Sequence, residues 1–118
     1  MKKWIAVISI LFIVTGTAIA GIDIVAQSSG EKTVDFAALA GPGYLTAVEV
    51  ITDGTNDAKV ILYDHATAAS GKVIFEATIT GASHYGGRVF VPPVEVYNGV
   101  YADVSGTGAS YIVETVAR

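Results

Sequence analysis

The sequence predicts an all-β domain: an antiparallel β-sandwich of seven to nine strands, jelly-roll-like, preceded by an N-terminal hydrophobic helix that serves as signal peptide or anchor. Three observations carry that expectation. Downstream of Gly21 the apolar residues alternate with polar ones at period two, and no stretch sustains a helical period. Val, Ile, Thr and Tyr dominate the alternating runs, as they do on pleated, half-buried surfaces. Clusters of Gly, Asn, Asp and Ser interrupt the runs about every ten residues, the spacing of short strands joined by tight turns.

The leader comes first. Residues 1–20 read MKKWIAVISILFIVTGTAIA. Lys2 and Lys3 give a positive start, and Ile5 to Val14 is an apolar run broken only by Ser9. Ala18-Ile19-Ala20 then sets small residues at the two positions a signal peptidase reads. This grammar divides the chain into a leader, 1–20, and a β-sandwich domain, 21–118. The rival reading is a retained membrane anchor. The uncharged residues from Trp4 to Ile22 come close to the roughly 20 that a bilayer span needs, with Lys2 and Lys3 left in the cytoplasm. A membrane is therefore expected only through residues 4–22, if they are uncleaved. The rest of the chain is expected in an exported location, periplasmic or extracellular, or on a virion.

Strands are expected over 22–27, 32–36, 44–52, 58–64, 72–80, 88–91, 94–97, 100–105 and 111–117. Between the second and third, Ala37-Ala38-Leu39-Ala40 is helix-prone. Four residues ending at Gly41-Pro42-Gly43 allow one helical turn at most. In 44–52, Val48 and Val50 face inward and Glu49 outward. In 58–64, Val60 and Leu62 face inward and Lys59 outward. In 72–80, Val73, Phe75, Ala77 and Ile79 form the core face, and Lys72, Ile74, Glu76 and Thr78 the wet one.

Faces also imply registers, because a one-residue slip inverts every side chain. Opposing Val50 to Val60 makes 53–57 a five-residue hairpin loop, with Ile51 beside Lys59 and Glu49 beside Ile61. A three-residue loop Tyr97-Asn98-Gly99 sets Val96 against Val100 and Val94 against Ala102, with Gly99 left-handed. The two-residue Asn98-Gly99 turn instead sets Val94 against Asp103 and buries a charge. Pro92-Pro93 cannot donate to a ladder and marks a bend, an edge or a crossing between sheets.

Composition excludes several functions. Apolar residues make up 52% of the chain and charged ones 15%, so it is not a disordered tail. With no Cys there is no disulfide framework, no Cys-based zinc site and no thiol catalysis. Against 7 Lys and Arg stand 11 Asp and Glu, a net charge of −4, which leaves no basic patch for nucleic acid. Loss of 1–20 removes two of the basic residues and none of the acidic ones, so the imbalance grows.

Candidate chemistry is sparse. Asp53, Asn56 and Asp57 are the densest oxygen cluster, but they lack the alternating ligand spacing of a calcium loop and match an ordinary turn. His65 and His84 each fall in a loop without a nucleophile elbow or a metal motif, so a hydrolase built on either is the least favoured reading. Gly81–Gly87 and Ser105-Gly106-Thr107-Gly108 are Gly-rich, but no helix follows the second to cradle phosphate. No catalytic residue, metal or cofactor is expected. The tyrosines say more. Tyr63 and Tyr101 point outward by alternation, while Tyr85 and Tyr97 lie at turns. With Ile51, Ile61 and Ile74 they leave an excess of apolar surface suited to a protein partner, to self-assembly or to a glycan.

The run GYLTAVEVITDGTNDAKVILYD, followed by ASGKVIFEATITG, GGRVF and PVEVYNGVYADVSGTGASYIV, resembles small β-rich virion structural proteins of tailed bacteriophages and prophages, some of them decoration-like. The likeness covers residues 43–113 and lies in strand and turn patterns. It implies a non-enzymatic structural or interaction module, a phage virion surface component, with no catalytic residues to carry over. The leader is a departure from that pattern, since a capsid component assembled in the cytoplasm needs no export. A membrane-containing virion, a domain captured by a host gene or a secreted protein sharing the fold accommodates it. The alternative function is a secreted or periplasmic glycan-binding module using Tyr85, Tyr97 and Tyr101.

Overall fold

Among the described residues eight strands follow one another: β1 (Ala26–Ser28), β2 (Phe36–Ala40), β3 (Gly43–Ile51), β4 (Ala58–Asp64), β5 (Lys72–Ile79), β6 (Tyr85–Val96), β7 (Gly99–Ser105) and β8 (Ser110–Ala117). The structure, a computed structural model, describes residues 26–118; the leader and most of the first expected strand lie outside the described residues. One 3₁₀ turn, Gly81–Ser83, precedes β6, and the described residues hold no α-helix.

The strands form two antiparallel four-stranded sheets, packed as a sandwich. Sheet I has the order β1-β8-β3-β6 and sheet II the order β2-β7-β4-β5. The first strand thus pairs with the last, the second with the seventh, the third with the sixth and the fourth with the fifth. Among the described strands only β4 and β5 are consecutive neighbours in one sheet; each of the other connections between them carries the chain from one sheet to the other.

Period two places the core. Leu45, Val48, Val50, Val96, Tyr111 and Val113 of sheet I meet Leu39, Val60, Leu62, Val100 and Ala102 of sheet II in one buried cluster. Phe75 and Phe90 join the sheets at the β5–β6 side, edge to face, with ring centroids 5.7 Å apart. Tyr111 is wholly buried, and its hydroxyl donates to the Val34 carbonyl at 2.6 Å. Burial, then the nearby Asp35 carboxylate, pushes that phenol well above the usual tyrosine range.

The inward residues of 44–52 and 58–64 are as expected, but several registers are not. β3 and β4 lie in different sheets, so Val50 and Val60 meet across the core and not along a ladder. The 53–57 segment is a crossover. β6 and β7 are likewise separated, so neither expected hairpin at Asn98-Gly99 forms.

A buried carboxylate organises that second crossover. Asp64, at the end of β4, accepts hydrogen bonds from the backbone N–H groups of Tyr97, Asn98 and Gly99. Burial alone would raise its pKa; those three donors outweigh it and hold the carboxyl below the ordinary aspartate value. Gly99 does take a positive φ, +148°, and an added Cβ would lie 2.3 Å from the Leu39 carbonyl.

Three further expectations change. Residues 37–40 are strand, not a helical turn: β2 pairs with β7 and buries Leu39, and a tertiary partner outweighs the propensity of a four-residue stretch. Residues 32–35 supply only a bridge from Lys32 to Tyr111. In β5 the register shifts between Leu62 and Tyr63, inserting Ile74 as an extra residue. Ile74 therefore packs on the core, and Val73, beside Tyr63, is 47% exposed. The two strands expected at 88–91 and 94–97 merge into one, β6, which ends at Val96. Pro92 and Pro93 sit in it at the sheet edge, where the register against β3 jumps from Leu45↔Val94 to Ala47↔Val89.

Candidate interaction surface

The groups that could carry chemistry are taken up by the loops that hold them. Asp53 accepts the backbone N–H groups of Thr55 and Asn56, at 2.9 and 2.7 Å, and the Asn56 side-chain amide at 2.8 Å. Those bonds, the Asn56 N–H first, lower its pKa. Asp57 instead turns away and accepts the Gly81 N–H, tying this loop to the β5–β6 connection. Asp53 and Asn56 thus close the turn on themselves, and Asp57 ties it to a second connection. Among the described residues no three His, Asp or Glu side chains gather as a metal site.

The two imidazoles stand at opposite ends of the sandwich. His65 follows β4 and caps its own loop, Nδ1 accepting from the N–H groups of Thr67 and Ala68. His84 closes the 3₁₀ turn before β6, with φ +67°. The length of β4 separates them, roughly 20 Å at the strand rise per residue.

The four outward tyrosines do not converge. Tyr63 and Tyr101 are direct cross-strand partners on the outer face of sheet II, both half-buried. Beside them Ile61 pairs with Asp103 and Lys59 with Ser105. Burial, then the neighbouring Asp35 carboxylate, raises the Asp103 pKa. Tyr85 belongs to sheet I at the start of β6, and Tyr97 follows its far end, where its ring lies near Glu95 and the Arg118 guanidinium. Tyr85, Tyr97 and Tyr101 therefore form no common site. Of the three outward isoleucines expected, Ile51 and Ile61 are half-buried on outer faces and Ile74 faces the core.

Sequence reasoning missed the surface that the fold leaves most open. β6 is an edge strand of sheet I, and its outward residues recur at period two as Tyr85, Gly87, Val89 and Val91. Tyr85 is 64% exposed, Val89 72% and Val91 87%. Between Tyr85 and Val89, Gly87 presents no side chain. An added Cβ there would lie 2.6 Å from the Val48 carbonyl, so the close approach of β3 keeps the position bare.

A groove of about 400 Å³ results, with Ala47 and Glu49 of β3 and Ile112 and Glu114 of β8 on its far side. Arg88 borders it, but its guanidinium turns to the inner side, over the Phe90 ring. The period-two run from Tyr85 to Val91 was readable in the sequence. Starting the strand at Arg88 and assigning Tyr85 to a turn hid it.

The chain matches no family model, no curated protein and no solved structure.

Proposed function

We propose that this protein is a non-enzymatic structural or interaction module that docks through the β6 side of sheet I. The observation that carries the reading is the stripe Tyr85, Val89 and Val91, exposed on an edge strand with no partner among the described residues. An apolar edge of this length is a template for pairing with another chain unless charge, a bulge or a covering element blunts it. Here Pro92 and Pro93 blunt one end only.

The setting we propose is a surface built from repeated modules, a phage virion surface first. The pairing of first strand with last and so inward to the fourth and fifth supports a jelly-roll arrangement, an architecture shared by viral capsid and lectin domains. A hydrophobic leader at 1–20, as signal peptide or anchor, would deliver the domain to that surface. Such a fold hosts many functions, so the exposed stripe and not the topology carries the proposal.

Co-sedimentation tests it. The full chain, expressed with particles released from its own host, pellets with them, and a Val89→Lys variant stays in the supernatant. A wild-type chain that remains monomeric and unbound under all such conditions overturns the reading.

One observation favours a second reading, glycan binding. Tyr63 and Tyr101 are cross-strand partners on the outer face of sheet II, with Asp103 and Lys59 on the same face, so aromatic and polar groups adjoin there. Retention on immobilised polysaccharide, lost in Tyr101→Ala and kept in Val89→Lys, would favour this face over β6.

A further inference from the structure

The groove beside β6 fits one kind of strand better than others. We infer that β6 takes up an extended segment of another polypeptide as a fifth strand of sheet I, and that this segment carries a lysine or arginine with apolar residues two positions to either side. This inference rests on the docking reading above and specifies its partner.

The usable edge is short. Pro92 and Pro93 offer no N–H, and the ladder with β3 is broken between Val89 and Val94. That leaves Tyr85 to Val89, with outward positions Tyr85, Gly87 and Val89. A strand added outside β6 lies about 4.8 Å from it, and its outward side chains stand beside those three. Apolar residues at the flanking positions cover Tyr85 and Val89. The central residue faces Gly87, where nothing blocks a long side chain from crossing β6.

What lies beyond Gly87 is a carboxylate. Glu49 is its direct partner on β3, and Glu114 is the partner of Ala47 on β8, one step along the same face. Both glutamates are exposed and border the groove. Neither belongs to an ion pair among the described residues, where the pairs are Lys59–Glu76 and Arg118–Glu95. A cation crossing Gly87 meets Glu49 first, with Glu114 behind it. The acidic balance of the whole chain, 11 against 7, adds a field of the same sign.

A second copy of this chain fits less well. Two β6 strands paired antiparallel about Arg88 set two guanidinium groups opposite each other. Paired about Gly87, they bring no cation over Glu49 and leave the carboxylates of both copies unanswered. A β6–β6 pairing therefore does not answer these carboxylates, and the complement inferred is a basic, extended segment of another polypeptide.

The test uses the full chain and capped heptapeptides that alternate threonine and valine, with lysine, glutamine or glutamate at the centre. Binding is followed by amide chemical shifts. The lysine peptide is expected to shift the amides of 85–89 and to bind about tenfold more tightly than the glutamate peptide. Glu49→Gln, on an exposed side chain that leaves the fold intact, is expected to bring that ratio to about threefold or less, with Glu49→Gln/Glu114→Gln removing it. Binding at 85–89 that ignores the central charge overturns the cationic partner and leaves edge docking standing. Self-association through β6 that excludes every peptide also overturns it, in favour of a second copy. No shift at 85–89 with any peptide, together with unchanged particle association in Val89→Lys, overturns the docking reading itself.

Discussion

The two outer faces of the sandwich use the same kinds of residue and finish them differently. On sheet II, Tyr63 and Tyr101 shield each other, and Lys59 meets Glu76 at 2.9 Å. On sheet I, Tyr85, Val89 and Val91 stand on an edge with bare Gly87 between the first two, and Glu49 and Glu114 form no ion pair among the described residues. Sheet II places its outward aromatics on central strands, where neighbours cover them on both sides. Sheet I places its most exposed apolar residues, Tyr85, Val89 and Val91, on the outermost strand. Exposure here follows position in the sheet more than side-chain hydrophobicity.

That contrast can be broken from the inside. Asp64→Ala removes the acceptor for three backbone N–H groups at the crossing between β6 and β7. Denaturant unfolding should show a loss of roughly 2–4 kcal/mol, because buried donors are left unsatisfied, and both faces should be lost in one transition. The wild-type contribution has a defined sign with pH. The folded carboxyl lies below the ordinary aspartate value of 3.8, so the stabilisation is full above that value and lost as the pH falls below it. The difference between wild type and Asp64→Ala should narrow accordingly in acid.

On sheet II, Tyr101→Ala should cost about 0.5–1 kcal/mol by loss of its cross-strand partner Tyr63, without altering particle association. Asp103→Asn sharpens the same face in the opposite direction. Its folded pKa is raised, by burial and then by Asp35, so the ionised form disfavours folding. The variant should be more stable than wild type at neutral pH, with the gain shrinking as the pH falls toward 3.8. A gain that grows in acid would contradict that assignment.

Val89→Lys should have the smallest effect on folding, within about 0.5 kcal/mol, since its side chain already lies in water. It should have the largest effect on docking. A variant that unfolds would show that β6 is held by Val89 and is not merely exposing it.

Much of this architecture is legible in the sequence. Val48, Val50, Val60 and Leu62 face inward because period two is a property of any strand, whichever sheet it joins. The same fact explains the errors of register. Two consecutive strands pointing their apolar sides at one core look alike whether they pair or face each other across it, so the 53–57 and 97–99 connections read as hairpins. The Ile74 bulge and the strand at Phe36–Ala40 were hidden for a related reason: both are imposed by a partner strand, β4 or β7, and not by local sequence. The four tyrosines were found as residues, but their separation depends on strand order, and so does the edge position of β6.

Amide hydrogen exchange across the docked state is the most direct measurement of the central claim. With the lysine-centred heptapeptide bound, the amides of Tyr85 to Val89 are predicted to exchange more slowly, while those of β5 and of Tyr63 and Tyr101 stay unchanged. Protection that appears on β5 or on the sheet II face, with β6 exchanging as before, would contradict the account.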